Sequence, residues 1–262
     1  MENKLIKRDG QNSTTIFDNR TLEKDYRTLR PILKEGMTVL DVGCGTGAIT
    51  KDIANVIGPT GKITGIDNTE NFILSGKEKY GDVKNMELIH VDFFEFHPIG
   101  KYDLIVSART LQWLSKVNEA FGKMKSLLNP GGRVSILDYN HTKIDWQPLP
   151  PESMQKFYAI FLKWRKDAGM NNQMADDLHS LLHQAGFNEI EQLNSDEYYK
   201  KGDAGFSSHL GIWSKVAGST QMVEEGFLSD ELRLKAIEEY NNWIENDAIS
   251  MTMKLNEVRA RV

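Results

Sequence analysis

Short apolar runs alternate with longer stretches of helical periodicity from residue 38 onward. Helical patterns fill residues 46–57, which end at Gly58-Pro59, and residues 117–128. Strands that alternate with helices are typical of a parallel sheet covered by helices. The predicted strands occupy residues 37–42, 62–66, 86–91, 102–108 and 132–139.

The regular alternation of strand and helix patterns ends after Tyr139. A polar, proline-containing turn and an apolar helical pattern follow, and two more helical patterns come later, the second with Ser229 as its N-cap. A helix at 174–187 and a strand at 188–199 lie between these segments, and residues 248–262 alternate as a last strand. We therefore predict one doubly wound α/β domain over residues 1–262. It has a mostly parallel seven-stranded sheet with an antiparallel last strand, an N-terminal helical segment at 1–35, and helical lid insertions at 141–173 and 203–246.

The composition of the chain indicates in which cellular compartment the protein is expected. The chain has 262 residues, of which 40% are apolar, and it contains one cysteine. No run approaches the roughly 20 apolar residues that a membrane-spanning helix needs, and the first residues do not resemble a signal peptide. We therefore expect no membrane partner and a cytoplasmic protein. Cys44 lies in a tight loop, where a small structural residue is expected and no nucleophilic role.

Charge and histidine spacing add two weaker observations. The net charge of −5 makes nucleic acid an unlikely partner, because nucleic-acid affinity depends on Lys and Arg that neutralise phosphates. His179 and His183 lie four residues apart on a predicted helix, as zinc ligands can, but no third ligand is evident and we predict no metal. Five basic residues with the spacing of one helix side are expected to form a solvated surface: Arg20, Lys24, Arg27, Arg30 and Lys34.

The stretch "VLDVGCGTG" at 39–47 carries the main chemical signal. Its glycines follow a strand and permit close approach of a ligand, but the pattern Gly43-x-Gly45-x-x-Ala48 alone does not separate cofactors. Asp41 distinguishes between the possible cofactors, because a carboxylate beside the loop disfavours a pyrophosphate. S-adenosylmethionine has no phosphate and carries a positive sulfonium and ammonium group. The sequence therefore predicts S-adenosylmethionine and not NAD.

This motif resembles the first motif of class I S-adenosylmethionine-dependent methyltransferases, and the resemblance extends over about residues 37–140. It implies a Rossmann-like methyltransferase domain whose loop binds the cofactor. It also implies that Asp67 accepts from the ribose hydroxyls, that Asp92 contacts the adenine amine and Phe93 the adenine ring, and that Ser107 lines the mouth for methyl transfer. Taken singly, Asp67 or Asp92 could equally be a turn or cap residue. The cofactor residues implied are Asp41, Gly43, Gly45, Gly47, Asp67, Asn68, Asp92, Phe93 and Ser107.

The acceptor side is less defined. Methyl transfer depends on alignment, and a general base is optional. His141, after the fifth strand, is a weak candidate for that base. The pair Gln112-Trp113 and the stretch "RTLRP" are similar to methyltransferases of trans-aconitate and malonyl carrier-protein esters, which implies that Arg30 could meet a carboxylate of cofactor or acceptor. Trp113 itself fits core packing better. Aromatic residues of the insertions would cover an acceptor: Trp146, Phe157, Tyr158, Phe161, Trp164 and Trp213.

We therefore predict an enzyme that methylates a small molecule at an O, N or C atom. An RNA methyltransferase would need a basic groove or a nucleic-acid module, and the acidic balance argues against it. A protein that binds S-adenosylmethionine without catalysis stays open as an alternative, as do the acceptor and the oligomeric state.

Overall fold

The computed structural model describes Lys4, Ile6 and residues 18–262. Its strands are β1 (Thr38–Val42), β2 (Lys62–Asp67), β3 (Met86–His90), β4 (Tyr102–Ala108), β5 (Leu128–Gln147), β6 (Asn188–Asn194), β7 (Glu197–Lys200) and β8 (Ser250–Arg261). Its α-helices are α1 (Leu22–Asp25), α2 (Ala48–Ile57), α3 (Glu70–Tyr80), α4 (Val117–Leu127), α5 (Glu152–Asp167), α6 (Met174–Gln184), α7 (Phe206–Leu210), α8 (Ile212–Ala217), α9 (Gln221–Glu224) and α10 (Asp230–Asn246). Short 3-10 helices cover Arg30–Ile32, Phe93–Glu95 and Leu111–Trp113.

The strands form one sheet in the order β3-β2-β1-β4-β5-β8-β6, and β7 also pairs with β8. The pairs from β3 to β5 are parallel, and β8 runs antiparallel to β5, β6 and β7. Strands β1 to β3 are added toward one edge of the sheet and β4 and β5 toward the other, so the order of the strands reverses between β1 and β4. Open α/β sheets bind ligands at the carboxyl ends of the strands at such a point. The mostly parallel, doubly wound sheet and the antiparallel last strand agree with the sequence prediction.

The sheet has eight strands, whereas the sequence predicts seven. The difference lies at 188–199, predicted as one strand and observed as β6 and β7. Between them, Ser195 N donates to Leu255 O at 3.0 Å and the Asp196 carboxylate accepts from Leu255 N, also at 3.0 Å. A side chain thus replaces a backbone acceptor at this position, which interrupts the ladder.

The first insertion also begins later than predicted. Residues 141–147 continue β5 and pair with the start of β8 after a register shift between Asn140 and Asp145. The helical part of this insertion is α5 alone. The sequence prediction ended the strand at 139 because the extension depends on pairing with β8, a distant partner. His141 therefore lies in a β-bulge, where the direction of side chains departs from simple alternation.

Alternation along the strands divides the core between the two faces of the sheet. Val39, Leu137 and Met253 contribute to one face, which is covered by α2, α5 and α7–α10. Leu40 and Ile136 contribute to the other face, which is covered by α4 and α6. Helices on both faces explain why the parallel strands are apolar along most of their length.

The N-terminal segment differs from its prediction. The predicted helical segment 1–35 lies partly outside the described residues, since positions 1–3, 5 and 7–17 are not described. The described remainder contains α1 and one 3-10 turn, and Tyr26 leaves the helix to bury its ring and donate to Ser135 O at 2.7 Å. The basic residues at 20–34 therefore do not share one helix face.

None of the helices in the described part of the chain combines the length and apolar character that a bilayer crossing requires.

Candidate active site

The glycine loop joins β1 to α2 at the carboxyl edge of the sheet. Gly43, Gly45 and Gly47 have φ angles of 77°, 58° and 81°, which favour glycine. A Cβ atom on Gly43 would lie 2.2 Å from Thr110 Oγ1, so no other residue fits there. Thr110 follows β4 and donates its hydroxyl to Gly43 O at 3.3 Å. The loop therefore packs directly against the residues that follow β4.

Two buried carboxylates hold this loop. Asp41, near the end of β1, accepts a 2.6 Å hydrogen bond from Thr50 Oγ1 of α2. Asp67, the last residue of β2, accepts from Gly45 N at 3.0 Å and from Thr69 N at 2.9 Å. Asp67 thus stabilises the loop and the following turn in this structure, which is the alternative role that its position in the sequence allows. Each carboxylate oxygen has a second lone pair, so its expected contact with a ribose stays a prediction.

The loop has an excess of negative charge. Among the described residues, no Lys or Arg nitrogen lies within 4 Å of the Asp41 or Asp67 carboxylate. Burial raises the pKa of Asp41 to about 6, the hydrogen bond from Thr50 opposes this, and the neighbouring Asp67 raises the pKa further. Burial raises the pKa of the Cys44 thiol as well, which disfavours a thiolate nucleophile. Buried carboxylates without a cation fit a cationic ligand such as S-adenosylmethionine and oppose a pyrophosphate.

The other predicted cofactor residues follow the ends of β2, β3 and β4. Asn68 is exposed beside Asp67. Asp92 is partly exposed and caps the 3-10 turn by accepting from Phe94 N at 2.7 Å, and Phe93 is buried. The Ser107 side chain is fully buried and donates to Val42 O at 2.9 Å, so its hydroxyl connects β4 to β1 inside the sheet. The topology brings these residues to one edge, with the Ser107 hydroxyl facing inward.

Gln112 organises a buried polar cluster beside this edge. It lies in the 3-10 turn after β4, and its backbone N donates to Asp138 Oδ2 at 3.0 Å. Its side-chain Nε2 donates to Arg109 O at 3.2 Å, whereas its Oε1 accepts from Arg165 Nη2 at 3.0 Å and from His141 Nε2. Every side-chain polar atom of Gln112 is therefore engaged, and its amide orientation is fixed.

This orientation defines the protonation of His141. Because Gln112 Oε1 can only accept, His141 Nε2 carries the proton and Nδ1 carries the lone pair. Nδ1 lies 3.4 Å from the Tyr158 hydroxyl, which donates to His141 O at 2.7 Å. Burial lowers the pKa of His141 well below its ordinary value, and the charge of Arg165 lowers it further. The imidazole is neutral near pH 7 and is a weak base.

Arg165 of α5 is the site residue that the sequence analysis missed. Its side chain is fully buried, its Nε donates to Asn172 Oδ1 at 2.7 Å, and its Cζ lies 4.3 Å from the centre of the Trp113 ring. Phe161 lies one helical turn earlier on the same buried face. An arginine in register with the apolar face of a helix is the signal that could have identified it.

Two further arginines bear on the site: Arg109 is buried at the end of β4, whereas Arg30 lies on the surface. Arg109 follows β4 with a φ of 60°, donates to the Tyr139 hydroxyl at 2.8 Å and pairs with Glu197. Arg30, which the narrower resemblance placed near a carboxylate of cofactor or acceptor, is exposed, with Glu23 at 3.9 Å. The chain turns at Tyr26 and leaves Arg30 on the surface, and its expected contact with a carboxylate of cofactor or acceptor stays a prediction. Arg109 and Arg165 both place guanidinium groups near the strand ends.

The aromatic residues of the insertions surround His141. The Trp213 ring centre lies 5.8 Å from that of His141 and 4.9 Å from that of Tyr158, and Phe161 lies 6.0 Å from His141. Trp146 contacts Tyr158 at 5.1 Å. These rings belong to the core of this sheet face, so they pack the insertion and enclose the polar cluster together.

The predicted histidine pair lies elsewhere. His179 and His183 are both exposed on α6, which covers the opposite face of the sheet. In the part of the chain that the structure describes, no three side chains of His, Cys, Asp or Glu are grouped as metal ligands.

The fold and the glycine loop agree with the comparisons. Residues 33–195 match the family model described as a methyltransferase domain, and the chain belongs to this family. It is 29% identical to demethylmenaquinone methyltransferase from Staphylococcus aureus over 174 residues, which cover 59% of this chain and 69% of that protein. The match to the methyltransferase family model confirms the predicted class, class I S-adenosylmethionine-dependent methyltransferases, and with it the cofactor.

Solved structures share the fold at low sequence identity. One is a methyltransferase from Aquifex aeolicus, with a TM-score of 0.52, 21% identity and coverage of 72% of this chain and 91% of that chain. Another is phosphoethanolamine N-methyltransferase 2 from Haemonchus contortus in complex with S-adenosyl-L-methionine, with a TM-score of 0.55, 17% identity and coverage of 99% of this chain. This chain spans 54% of the Haemonchus chain.

Proposed function

We propose that this chain transfers a methyl group from S-adenosylmethionine to a small molecule bound at the carboxyl ends of β4 and β5. The observation that carries the proposal is the continuity of the two halves of the site. Thr110 contacts the glycine loop, and Gln112, two residues later, holds His141 and Arg165. A ligand on the loop and a ligand beside His141 would be neighbours.

On the cofactor side, the loop from Gly43 to Gly47 would support the methionine portion, and Asp41 would face its positive charge. Asp67 and Asn68 would contact the ribose, and Asp92 and Phe93 the adenine. The bound cofactor supplies a methyl group that its sulfonium makes electrophilic.

On the acceptor side, the residues of this chain align the acceptor and exclude water. Gln112 fixes the ring of His141, whose Nδ1 lone pair is available but weakly basic. An acceptor atom that is already deprotonated, such as that of a thiolate or a carboxylate, needs no base, whereas a hydroxyl or ammonium group must lose a proton. The depressed pKa of His141 favours an acceptor of the first kind.

A small acceptor is supported by the enclosure of the cluster by α5 and α8. One relative is named for demethylmenaquinone, and an acceptor of that kind would suit aromatic walls. However, the family match ends at residue 195, before α7–α10, so the segment that carries Trp213 is not part of the shared domain. The acceptor should therefore be identified directly. We place the reaction in the cytoplasm, for which the lone cysteine is the supporting observation.

Calorimetry with S-adenosylmethionine, S-adenosylhomocysteine and NAD tests the cofactor side. We expect the first two to bind and NAD not to bind. Incubation with labelled S-adenosylmethionine and a metabolite extract, followed by mass spectrometry, tests the transfer. NAD binding without a response to S-adenosylmethionine would overturn the proposal. Cofactor binding without any labelled product would instead support the non-catalytic alternative.

A further inference from the structure

Arg165 is a buried cation without an anion. Its Nη1 makes no hydrogen bond, and no carboxylate oxygen lies within 4 Å of its guanidinium among the described residues. Other arginines with little exposure are paired: Arg109 with Glu197, Arg233 with Asp230, and Arg259 with Glu257. Arg165 therefore differs from these three arginines in having no carboxylate partner among the described residues, although Arg109 Nη1 also lacks an acceptor there.

The neighbours of Arg165 supply neutral acceptors only. Its Nε and Nη2 donate to Asn172 Oδ1, Gln112 O and Gln112 Oε1. The acid whose charge acts on it, Asp138, accepts from Tyr139 N and Gln112 N, and burial raises the pKa of Asp138 to about 7. Asp138 has no oxygen within 4 Å of the Arg165 guanidinium, and burial disfavours its ionised form. A buried guanidinium without a full counter-charge is unfavourable unless a ligand supplies one.

A second unmatched donor lies in the same cluster. Trp213 Nε1 is buried, and no residue in the described part of the chain accepts a hydrogen bond from it. The Trp213 ring centre lies 6.1 Å from Phe161, and Arg165 Cζ lies 5.4 Å from that same ring. The side chains of Arg165 and Trp213 therefore both lie beside the Phe161 ring, and the His141 ring centre is 6.0 Å from that ring. One cationic and one neutral N–H donor among aromatic rings match the chemistry of a planar acid.

We propose that Arg165 Nη1 and Trp213 Nε1 bind the carboxylate of the acceptor, and that the acceptor is a planar carboxylic acid whose apolar body packs against the surrounding rings. The inference deepens the proposed function and rests on it only in naming this ligand as the acceptor. A carboxylate would complete the charge of Arg165 and the hydrogen bonding of both side chains. Arg165 is thereby a specificity-determining residue, which discriminates acids from neutral analogues of equal size.

Pairs of probes that differ only in charge test this. Benzoate, 4-hydroxybenzoate and cinnamate are titrated against the corresponding amides, with and without saturating S-adenosylhomocysteine. Wild-type protein should bind at least one acid tenfold or more tightly than its amide, as expected for a hydrogen-bonded charge pair. Arg165→Met should abolish this preference, Arg165→Lys should retain part of it, and Trp213→Phe should weaken acid binding severalfold.

Two variants serve as matched controls. Arg233→Met removes a buried arginine that is already paired, and Trp243→Phe removes a buried indole N–H that also has no acceptor but stacks on Tyr240 at 5.3 Å, outside the cluster. Both should keep the preference for acids within twofold. Circular dichroism and affinity for S-adenosylhomocysteine show whether each variant is folded.

The outcomes separate the two proposals. If no acid is preferred over its amide, or if the preference survives Arg165→Met, the present inference is overturned. If acids bind through Arg165 but S-adenosylmethionine does not bind, the inference about an acid site holds and the proposed function fails. A protein that binds the cofactor but no acid leaves the proposed function intact and excludes the carboxylate site.

Discussion

Thr50 donates a 2.6 Å hydrogen bond to the carboxylate of Asp41, across the junction between β1 and α2. The bond favours the ionised carboxylate, whereas burial and the charge of Asp67 disfavour it, and the pKa of Asp41 settles at about 6. A carboxyl group that ionises near physiological pH responds to any charge placed beside it. This pair of residues therefore makes the binding of a charged cofactor depend on pH.

The first prediction concerns this linkage. A cationic cofactor binds the ionised form of Asp41, so affinity for S-adenosylmethionine should be constant above about pH 6 and fall by up to tenfold per unit below it. Affinity for S-adenosylhomocysteine, which has a neutral sulfur, should fall less. Thr50→Val removes the bond that lowers the pKa and should move the inflection to higher pH. Calorimetry between pH 5 and 8 measures each curve, and parallel curves for the two ligands would contradict the role of Asp41.

The same pKa predicts a stability effect without ligand. The pKa of Asp41 rises on folding from 3.8 to about 6, so the ionised carboxylate destabilises the native state as pH increases through this window. Asp41→Asn should leave the free energy of unfolding unchanged below pH 3.8 and increase it by about 1 to 3 kcal/mol above pH 6. Urea denaturation at both pH values measures it. A variant that is less stable at pH 7.5 would contradict the argument.

Asp67 provides the third prediction. Its two oxygens accept from Gly45 N and Thr69 N, and a ribose would add further hydrogen bonds. Asp67→Ala should weaken cofactor binding by about 1.5 to 3 kcal/mol, the range for hydrogen bonds to a charged group. Glu70→Gln, at the exposed start of α3, is the control and should change affinity little. Unchanged affinity in Asp67→Ala would restrict Asp67 to its turn role.

The positions of the proposed cofactor residues at one sheet edge could be predicted from sequence because the signals are local. The motif from Asp41 to Gly47 is continuous, and strand ends after apolar runs place Asp67 and Asp92 on the same edge. The acceptor half could not be predicted in this way. Arg165 meets Gln112 across 53 residues of chain, and only the packing of α5 on the sheet brings them together.

The differences in strand boundaries have the same origin. The division of β6 from β7 depends on Asp196 and Leu255, which are 59 residues apart, and the extension of β5 depends on β8. Local alternation indicates that a residue can be in a strand, but the partner strand decides where the ladder is interrupted. The strands whose predicted bounds agree with the structure are β1 to β4, which follow one another along the chain in alternation with helices.

The fourth prediction concerns His141. Burial and Arg165 disfavour its imidazolium, with Tyr158 and Tyr139 as the other titratable groups beside it. The NMR signal of its Cε1 proton should therefore not shift between pH 5.5 and 8. In urea-unfolded protein the same histidine should titrate near 6.5. Arg165→Met should raise the pKa of His141, since one of its two causes is removed. A native midpoint near 6.5 would contradict the buried, neutral imidazole and restore His141 as an ordinary base.

The fifth prediction concerns access to this buried cluster. Arg165 is fully buried and His141 is 4% exposed, so an acceptor can reach them only if the helices above them move. The segments that must move carry the enclosing rings: α5, with Tyr158 and Phe161, and the region 203–246, with Trp213. These segments lie within the insertions 141–173 and 203–246 that the sequence predicts as a lid, and the helical part of the first one begins at α5.

Hydrogen exchange measures this motion directly. Backbone amides of residues 148–173 and 203–246 should exchange more slowly when S-adenosylhomocysteine and acceptor are bound together than with either alone, because closure requires both ligands. Helix α6, on the opposite face of the sheet, should be unaffected and is the internal control. If protection is confined to residues 37–110, the aromatic segments are fixed packing, and the acceptor must bind outside the cluster of Gln112, His141 and Arg165.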